Sequence, residues 1–406
     1  MKGLLAVAAM LAAPTQIVPA WTASQQPVWG ADFLFPTNIP ARLAGRTLRQ
    51  VIRLGVGGRD VRIVLANTYG SRAITIAAVH AAPSLGGSRI DGAADRSVRF
   101  GGDEDVIIAP GASITSDPLP IAVTAGQDLA ISIRFVAEPT IESFHWDGKR
   151  TGYLFEGERI ADVDPAIETT TTTRLLLAGV LVDAASARSA VVVLGDSITD
   201  GAGATLDADT RWPDYLASRT APNGVAVVNA GISGGRLLSD GMGANALARL
   251  DRDVLSQPGV ATLILALGIN DIAWPGTLFD PNAPAMTFEG LSRAYRSLVA
   301  RAHGAGIRVI GTTLPPFADA LPDTPLHASY YSPDKNALRH RINDWIRGSG
   351  TFDAVADFDL VLRDPARPDH LAYRYDSGDH LHPGDAGNHA MAEAISISDL
   401  IKGPTS

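Results

Sequence analysis

Residues 191–203 read VVVLGDSITDGAG, and this stretch decides the fold of the C-terminal half of the chain. A short run of β-branched apolar residues that ends at a glycine is typical of a buried parallel strand. Ser197 is therefore predicted just past the carboxyl end of a strand, where open α/β sheets bind their ligands. Ser and Asp are also common first residues of helices, so the serine alone does not establish a nucleophile.

A possible base for that serine lies near the other end of the chain. Residues 376–389 read DSGDHLHPGDAGNH, which places Asp379 three residues before His382 in one short loop. A carboxylate beside an imidazole selects its tautomer and stabilises its charged form, so that the imidazole can accept a proton from a serine. The pair Asp379 and His382 is therefore the candidate base.

Two further loops follow strand-like apolar runs, NAGISGG at 229–235 and LALGIND at 265–271. Because the carboxyl ends of parallel strands meet at one edge of a sheet, both loops are expected beside Ser197. A tetrahedral intermediate needs hydrogen-bond donors aimed at its oxyanion. Gly234 and Asn270 are the candidate donors.

These four motifs, taken in order, resemble the SGNH (GDSL-type) hydrolase family, and the resemblance covers about half of the chain. It implies that Ser197 is the nucleophile and that Asp379 orients His382. It also implies an oxyanion hole formed by the Ser197 N–H, the Gly234 N–H and the Asn270 side chain. The implied fold is α/β, with a flavodoxin-like three-layer sheet. No cofactor is implied, and the motifs leave the acyl group and the alcohol open.

Two other interpretations concern the same segments. Residues 231–235 fit G-x-S-x-G, the nucleophile elbow of α/β-hydrolases, which would make Ser233 the nucleophile. The elbow should lead directly into a helix, however, and RLLSDGMG follows instead. The glycine-rich GDSITDGAGA could hold a phosphate, but it lacks the lysine of a P-loop. Asp196 is predicted to cap the helix that begins at Ser197, and it is assigned no chemistry.

A metal site is a further alternative, because carboxylate and imidazole groups crowd residues 376–389 and form a workable ligand set. The members of this candidate cluster are Asp376, Asp379, His380, His382, Asp385 and His389. For His380 and His389 a surface or structural role is the simpler interpretation. The prediction is that no metal takes part.

Composition limits the other possibilities. The chain has 406 residues, 46% hydrophobic and 19% charged, which is typical of globular domains rather than disordered chains. Its formal net charge of −9 and the lack of a basic cluster argue against a nucleic-acid partner. Because the chain contains no cysteine, it has no disulfides and no cysteine nucleophile.

Residues 1–20, MKGLLAVAAMLAAPTQIVPA, are predicted to be a signal peptide cleaved near Ala20. Lys2 begins the segment, and the apolar run from Gly3 to Ala13 is too short to span a bilayer. The mature chain would begin between Trp21 and Gln25. The protein is therefore expected to be secreted or periplasmic, without a stable membrane anchor.

Residues 21–184 have a different pattern from the rest of the chain. Short alternating runs rich in Val, Ile and Thr are separated by Gly, Pro, Asp and Asn turns, which predicts an all-β, jelly-roll-like sandwich. A small-residue stretch, AASARSA at 184–190, is the expected hinge to a catalytic domain over 185–406. In that domain helical and strand-like stretches alternate, as parallel βαβ units require.

A β-sandwich ahead of a GDSL-type domain resembles bacterial secreted two-domain carbohydrate esterases. The resemblance implies hydrolysis of acetyl or other short-chain O-acyl esters on a small molecule, oligosaccharide or polysaccharide. Trp146 and Tyr153 could stack on a sugar ring, although such aromatic residues more often belong to a core. The alternatives are a general short-chain carboxylesterase, lipase or lysophospholipase of the same fold and, from another class, a non-catalytic glycan-binding protein.

Overall fold

The computed structural model describes residues 16–184 and 189–401. Its strands in chain order are β1 (Gln16–Thr22), β2 (Gln26–Pro27), β3 (Arg46–Arg53), β4 (Arg59–Ala66), β5 (Ile74–Ile76), β6 (Ala78–Gly86), β7 (Arg89–Ile90), β8 (Arg96–Val98), β9 (Val106–Ile108), β10 (Ser113–Thr115), β11 (Asp128–Phe135), β12 (Ser143–His145), β13 (Gly152–Glu156), β14 (Thr169–Thr171), β15 (Arg174–Leu175), β16 (Leu177–Ala184), β17 (Ser189–Gly195), β18 (Val225–Gly231), β19 (Val260–Ala266), β20 (Arg308–Thr312), β21 (Ala354–Ala356), β22 (Arg363–Asp364) and β23 (Arg367–Leu371). The helices are α1 (Ser197–Asp200), α2 (Trp212–Thr220), α3 (Ala246–Leu250), α4 (Ile269–Ala273), α5 (Phe288–Gly304), α6 (His327–Tyr330), α7 (Pro333–Gly348), α8 (Phe358–Leu362), α9 (Asp385–Glu393) and α10 (Ile397–Ile401), with a 3₁₀ turn at Ala221–Asn223 and a π-helical turn at Asp251–Leu255.

Residues 16–184, called the β region below, are all-β, as predicted. One sheet has the order β1-β16-β4-β10, and a larger sheet has the order β14-β13-β3-β11-β6-β7, with β8 also paired to β6. The shorter strands form β15-β12-β2 and β5-β9. Within these sheets the neighbouring strands run antiparallel.

One apolar core joins the two larger sheets. Val61 and Ile63 of β4 belong to the same buried cluster as Ile131 and Ile133 of β11. These residues lie two apart in each strand, and side chains with that spacing point to the same face of a sheet. The alternating pattern in the sequence therefore corresponds to strands with one face against this core.

Strand β1 contains the predicted cleavage site of the signal peptide. Its seven residues, Gln16–Thr22, pair antiparallel with β16, and Val18 and Ala20 are almost completely buried in the core. The Gly55 N–H also donates to the Ala20 carbonyl at 2.8 Å. Cleavage near Ala20 would remove most of this strand and expose the core beneath it. The remainder of the predicted signal peptide, residues 1–15, lies outside the described residues.

A five-stranded parallel sheet forms the centre of the second region, in the order β18-β17-β19-β20-β21. Alternate residues of β17 enter two different cores: Val191 and Val193 pack on one face, and Val192 and Leu194 on the other. A strand buried on both faces needs a continuous apolar sequence, which explains the VVVL run.

Helices cover both faces of this sheet. Residues of α5 and α7 contribute to one core, and residues of α2 and α9 contribute to the other. Helix α5 shows why these segments are helical: Thr287 accepts from the Gly290 N–H at its start, and the buried residues recur at helical spacing. Those buried residues are Leu291, Ser292, Ala294, Tyr295, Leu298, Val299 and Ala302.

The strand order places a switch point beside β17. From β17 the chain crosses to β18 on one side and then to β19 on the other side. Ligands of open α/β sheets bind outside the carboxyl ends of the strands at such a point. The loops after β17, β18 and β19 therefore meet there. Residues 185–188, at the centre of the predicted hinge, lie outside the described residues.

The β region packs directly against the parallel-sheet region. The Thr22 hydroxyl donates to the Asn229 carbonyl at 2.8 Å, and the Arg252 guanidinium donates to the Tyr69 hydroxyl at 3.0 Å. Another contact between the two regions, from His145 to Asp200, reaches helix α1, which begins at Ser197. Over the described parts of the chain, no helix is both long and apolar enough to cross a membrane.

Candidate active site

Ser197 is the first residue of α1 and follows the carboxyl end of β17. Asp196 is the N-cap, and its side chain accepts from the Ile198 N–H at 3.1 Å. The turn from strand to helix is tight, because a Cβ added to Gly195 would lie 2.1 Å from Thr199 Oγ1. Only glycine fits at this position without displacing α1, which explains the first residue of the GDS motif.

Ser197, His382 and Asp379 are in contact. Ser197 Oγ lies 2.8 Å from His382 Nε2, and His382 Nδ1 lies 2.6 Å from Asp379 Oδ2. A carboxylate can only accept a hydrogen bond, so Nδ1 carries the proton in neutral His382. The lone pair of Nε2 therefore faces the Ser197 hydroxyl.

The Asp379 carboxylate is fixed by several hydrogen bonds. Its Oδ1 accepts from the N–H groups of Leu381 at 3.0 Å and His382 at 2.8 Å. Burial opposes ionisation, but the His382 contacts and these N–H donors outweigh it and hold the pKa of Asp379 well below its usual range. The group that faces His382 is thus a carboxylate throughout the physiological pH range.

The three predicted oxyanion donors lie in the segments that follow β17, β18 and β19, at the same edge of the sheet. The Ser197 N–H is the first of α1 and has no partner within that helix. Gly234 has a φ of +70°, and a Cβ there would lie 2.7 Å from Trp274 Cζ2. Among the described residues, no acceptor is found for the Gly234 N–H. Both N–H groups are therefore available to a ligand.

The side-chain amide of Asn270 is held at both ends. Its Oδ1 accepts from the Tyr330 hydroxyl at 2.8 Å, and its Nδ2 donates to the Gly235 carbonyl at 3.2 Å. Both Asn270 and Tyr330 are almost completely buried. These contacts leave the second Nδ2 hydrogen without a partner among the described residues, so one donor remains for a ligand.

Two buried carboxyl groups next to the site have raised pKa values. Burial raises the pKa of Asp196 to about 7 and that of Asp271 to about 6, although N–H donors partly compensate. Asp271 accepts from the N–H groups of Leu237 and Leu238 and so connects the loop after β18 to α4. Neither carboxyl group makes a hydrogen bond to the side chain of Ser197 or His382.

Sequence reasoning missed two residues that support the loops of the site, Asp200 and His145. His145, in β12 of the β region, lies 3.0 Å from Asp200 at the end of α1. The other oxygen of Asp200 accepts from the N–H and the hydroxyl of Ser233. The sequence does offer a signal for Asp200, because this residue belongs to the GDSITDG motif. His145 carries no such signal, because nothing in its neighbourhood specifies a partner 55 residues away.

The Ser233 alternative does not have the geometry of a nucleophile. The Ser233 hydroxyl donates to Asp200 Oδ2 at 2.8 Å and contacts no histidine. The segment after it forms turns rather than a helix. Ser233 thus serves as a hydrogen-bond donor within the loop that carries Gly234.

The candidate metal cluster is dispersed among separate partners. In the part of the chain that the structure describes, no group of three or more His, Cys, Asp or Glu residues is arranged to hold a metal ion. Besides the Asp379–His382 pair, the contacts are Asp376 with His380, Asp385 with Thr205 and Thr210, and His389 with Tyr215. These contacts give structural roles to the residues that suggested a metal.

An aromatic cluster, defined here as Trp29, Phe33, Phe35, Trp146, Trp274 and Phe279, extends from the Gly234 loop to the β region. Trp274 stacks on Phe279 with ring centroids 4.4 Å apart, and Phe279 stacks on Phe33 at 5.8 Å. Trp274 is buried, whereas the other five are half-buried. Trp146, considered from sequence as a sugar platform, belongs to this cluster.

A parallel sheet whose carboxyl edge holds a serine, a histidine and a carboxylate in contact is typical of hydrolytic enzymes. Residues 193–390 match the model of the GDSL-like Lipase/Acylhydrolase family. These residues form a domain of this family, the SGNH (GDSL-type) hydrolases, and they make the chain a carboxylic ester hydrolase. The resemblance seen in the sequence is thereby confirmed.

Several solved structures are similar to this chain. They include a GDSL-like lipase from Bacteroides thetaiotaomicron VPI-5482 (21% identity, covering 52% of this chain and 88% of that one, TM-score 0.39). A carbohydrate acetylesterase from Sinorhizobium meliloti has 18% identity, covers 51% and 95%, and has a TM-score of 0.39. An aryl esterase of M. smegmatis has 16% identity, covers 52% and 99%, and has a TM-score of 0.42. No curated protein sequence matches the chain.

Proposed function

We propose that the chain hydrolyses short-chain O-acyl esters, acetyl esters of carbohydrates first among them, through a Ser197–His382–Asp379 triad. The observation that carries the proposal is the continuous pair of hydrogen bonds from Ser197 Oγ through the imidazole to Asp379, at 2.8 and 2.6 Å. Such an arrangement activates a hydroxyl that would otherwise be a weak nucleophile.

In the first half of the reaction, Ser197 Oγ attacks the ester carbonyl carbon as its proton passes to His382 Nε2. The tetrahedral intermediate then collapses, the bond to the alcohol oxygen breaks, and His382 returns the proton to the departing alcohol. The product of this half is an acyl group on Ser197. Water, deprotonated by His382, attacks that acyl group and releases the carboxylic acid, and the proton returns to Ser197.

The negative charge of both tetrahedral intermediates is stabilised by the N–H groups of Ser197 and Gly234 and by Nδ2 of Asn270. Fixed donors stabilise such charge strongly because they need no reorganisation during the reaction. The free N–H groups and the doubly held Asn270 amide support this role.

The preference for a small acyl group rests on the resemblance to two-domain carbohydrate esterases. The half-buried rings of the aromatic cluster support a carbohydrate as the alcohol part of the substrate, because sugar rings stack on exposed aromatic faces.

The architecture proposed with this function has two domains. The strand order β18-β17-β19-β20-β21, with separate cores on the two faces of the sheet, supports a three-layer, flavodoxin-like catalytic domain over 185–406. The single core between the two larger antiparallel sheets supports a jelly-roll-like sandwich in the β region. Export remains part of the proposal, with cleavage moved upstream of Gln16 so that β1 stays intact.

A fluorophosphonate probe tests the nucleophile, since only an activated hydroxyl attacks phosphorus readily. The wild-type chain, Ser197→Ala and Ser233→Ala are treated with the probe and mapped by peptide mass spectrometry. We expect label on Ser197 in the wild type and in Ser233→Ala, and neither label nor turnover in Ser197→Ala. Label on Ser233, or activity lost to a chelator and restored by metal, would overturn the proposal.

The substrate class is tested with a panel of esters. p-Nitrophenyl acetate, butyrate and octanoate are compared with acetylated xylooligosaccharides, and kcat/KM is measured for each. The proposal expects the acetylated oligosaccharides and the acetate to be the best substrates. A higher kcat/KM for octanoate would instead identify a lipase or lysophospholipase of the same fold.

A further inference from the structure

His145 is a buried histidine that belongs to one region of the protein and contacts the other. It ends β12 in the β region, yet its Nε2 lies 3.0 Å from Oδ1 of Asp200, the last residue of α1. The exposed fractions of the two side chains are 5% and 2%. Asp200 lies three positions after Ser197 in α1, so the β region contacts the helix that carries the serine.

The hydrogen-bond partners of His145 determine its charge. His145 Nδ1 lies 3.0 Å from the Ser24 carbonyl, which can only accept, so Nδ1 carries a proton. Nε2 faces a carboxylate and carries one as well. Burial disfavours the charged imidazole, but the charge and hydrogen bond of Asp200 outweigh it and raise the pKa of His145. The pair is therefore an imidazolium and a carboxylate.

The carboxylate in turn holds the loop after β18. Asp200 Oδ2 accepts from the Ser233 N–H at 2.9 Å and from the Ser233 hydroxyl at 2.8 Å. Ser233 directly precedes Gly234, whose N–H has no acceptor among the described residues. Hydrogen bonds from His145 to Asp200 and from Ser233 to Asp200 thus connect the β region to that N–H.

A buried ion pair of this kind contributes little net stability, because removing both charges from water offsets their attraction. What it does provide is a defined geometry, since a carboxylate that accepts three hydrogen bonds has little freedom to rotate. Without His145, Asp200 would keep only its two hydrogen bonds to Ser233, together with the charge of the nearby Arg211. It would then reorient toward water and carry the Ser233–Gly234 turn with it.

We propose that His145 is a positioning residue for ester hydrolysis, acting through Asp200 and Ser233 to direct the Gly234 N–H at the oxyanion. The inference rests on the proposed function, because it requires Gly234 to be an oxyanion donor. It gives the β region a part in catalysis: this region completes the support of the oxyanion loop.

The test compares His145→Leu, which removes the donor, with His145→Gln, whose Nε2 can still donate to Asp200. The matched control is Tyr69→Phe, which removes a different hydrogen bond between the same two regions, the one to Arg252. For each full-length variant, kcat and KM for p-nitrophenyl acetate are measured, with the affinity for a boronic acid that forms a tetrahedral adduct on Ser197.

We expect kcat of His145→Leu to fall by about 10- to 100-fold at nearly constant KM, because displacing a catalytic donor by about 1 Å has an effect of this size. The boronic acid should bind more weakly by a similar factor. His145→Gln should recover most of kcat, and Tyr69→Phe should keep the wild-type kcat. Should His145→Leu be unstable, the same measurements are made on Asp200→Asn, which has the same shape but fewer acceptor sites.

Wild-type kcat in soluble His145→Leu or Asp200→Asn would overturn the inference. So would a loss in Tyr69→Phe equal to that in His145→Leu, since the interface as a whole would then be responsible. Fluorophosphonate labelling separates this failure from failure of the proposed function. Label on Ser197 of the wild type together with full kcat in the His145 variants rejects the positioning role alone.

Discussion

The hydroxyl of Tyr330 donates a hydrogen bond of 2.8 Å to Oδ1 of Asn270, and both side chains are buried. Because a hydroxyl that donates selects the oxygen end of the amide, this contact directs Nδ2 toward the Gly235 carbonyl. Tyr330 is 60 residues away from Asn270 in the chain. Burial raises the pKa of Tyr330, so its hydroxyl keeps the proton that it donates.

Tyr330→Phe should therefore lower kcat by about 10-fold with little change in KM, because the Asn270 amide loses one of the two contacts that orient it. Steady-state kinetics on p-nitrophenyl acetate measures this effect. Tyr331→Phe is the control, since its hydroxyl makes no hydrogen bond to any described residue. An equal loss of kcat in both variants would contradict the role of the Tyr330 hydroxyl.

Asn270→Ala removes a predicted oxyanion donor. We expect kcat to fall by about 10²- to 10³-fold, or roughly 3 to 4 kcal/mol of transition-state stabilisation, while KM changes little. Combined with Tyr330→Phe, the double variant should be no slower than Asn270→Ala, because Tyr330 would act only through Asn270. An unchanged kcat in Asn270→Ala would remove this residue from the mechanism.

The raised pKa of Asp196 predicts how the free energy of unfolding varies with pH. Burial raises its pKa in the folded protein to about 7, against about 3.9 for a free Asp in the unfolded chain. Between these values the folded state binds more protons, so this group stabilises the fold at low pH, and that contribution is lost as pH rises through 7. Asp196→Asn keeps the N-cap and does not titrate.

The free energy of unfolding of the wild type, relative to that of Asp196→Asn, should therefore decrease by about 1 kcal/mol between pH 6 and pH 8. Urea denaturation at several pH values measures it, and comparison of the two chains cancels groups that they share, such as Asp271. A difference that stays constant across this range would show that Asp196 does not titrate there.

The position of β1 predicts the mature N-terminus. Because Val18 and Ala20 are buried in the core, we expect mass spectrometry of the exported protein to find a terminus before Gln16. A recombinant chain that begins at Trp21 should be less stable than one that begins at Gln16 by about 2 to 4 kcal/mol, from the apolar burial that it loses. Equal stability of the two chains would instead support cleavage near Ala20.

Local sequence determined the elements that form this protein. The VVVL run before Gly195 has the apolar residues that a strand buried on both faces needs, and it forms β17. The capped and regularly spaced segment after Thr287 forms α5, and the alternating runs before residue 184 form antiparallel strands. The order of the four motifs was enough to identify the family. These features depend on neighbouring residues, so they can be read along the chain.

Contacts between distant residues were decided only by the tertiary structure. Ser197 and His382 are 185 residues apart, and their 2.8 Å contact requires the whole parallel sheet to bring two loops to one edge. Nothing in the residues around His145 indicates Asp200, because that contact forms only where the β region packs on α1. The N-terminal segment shows the same limit: its local composition suits a leader, whereas pairing with β16 places Gln16–Thr22 in a sheet.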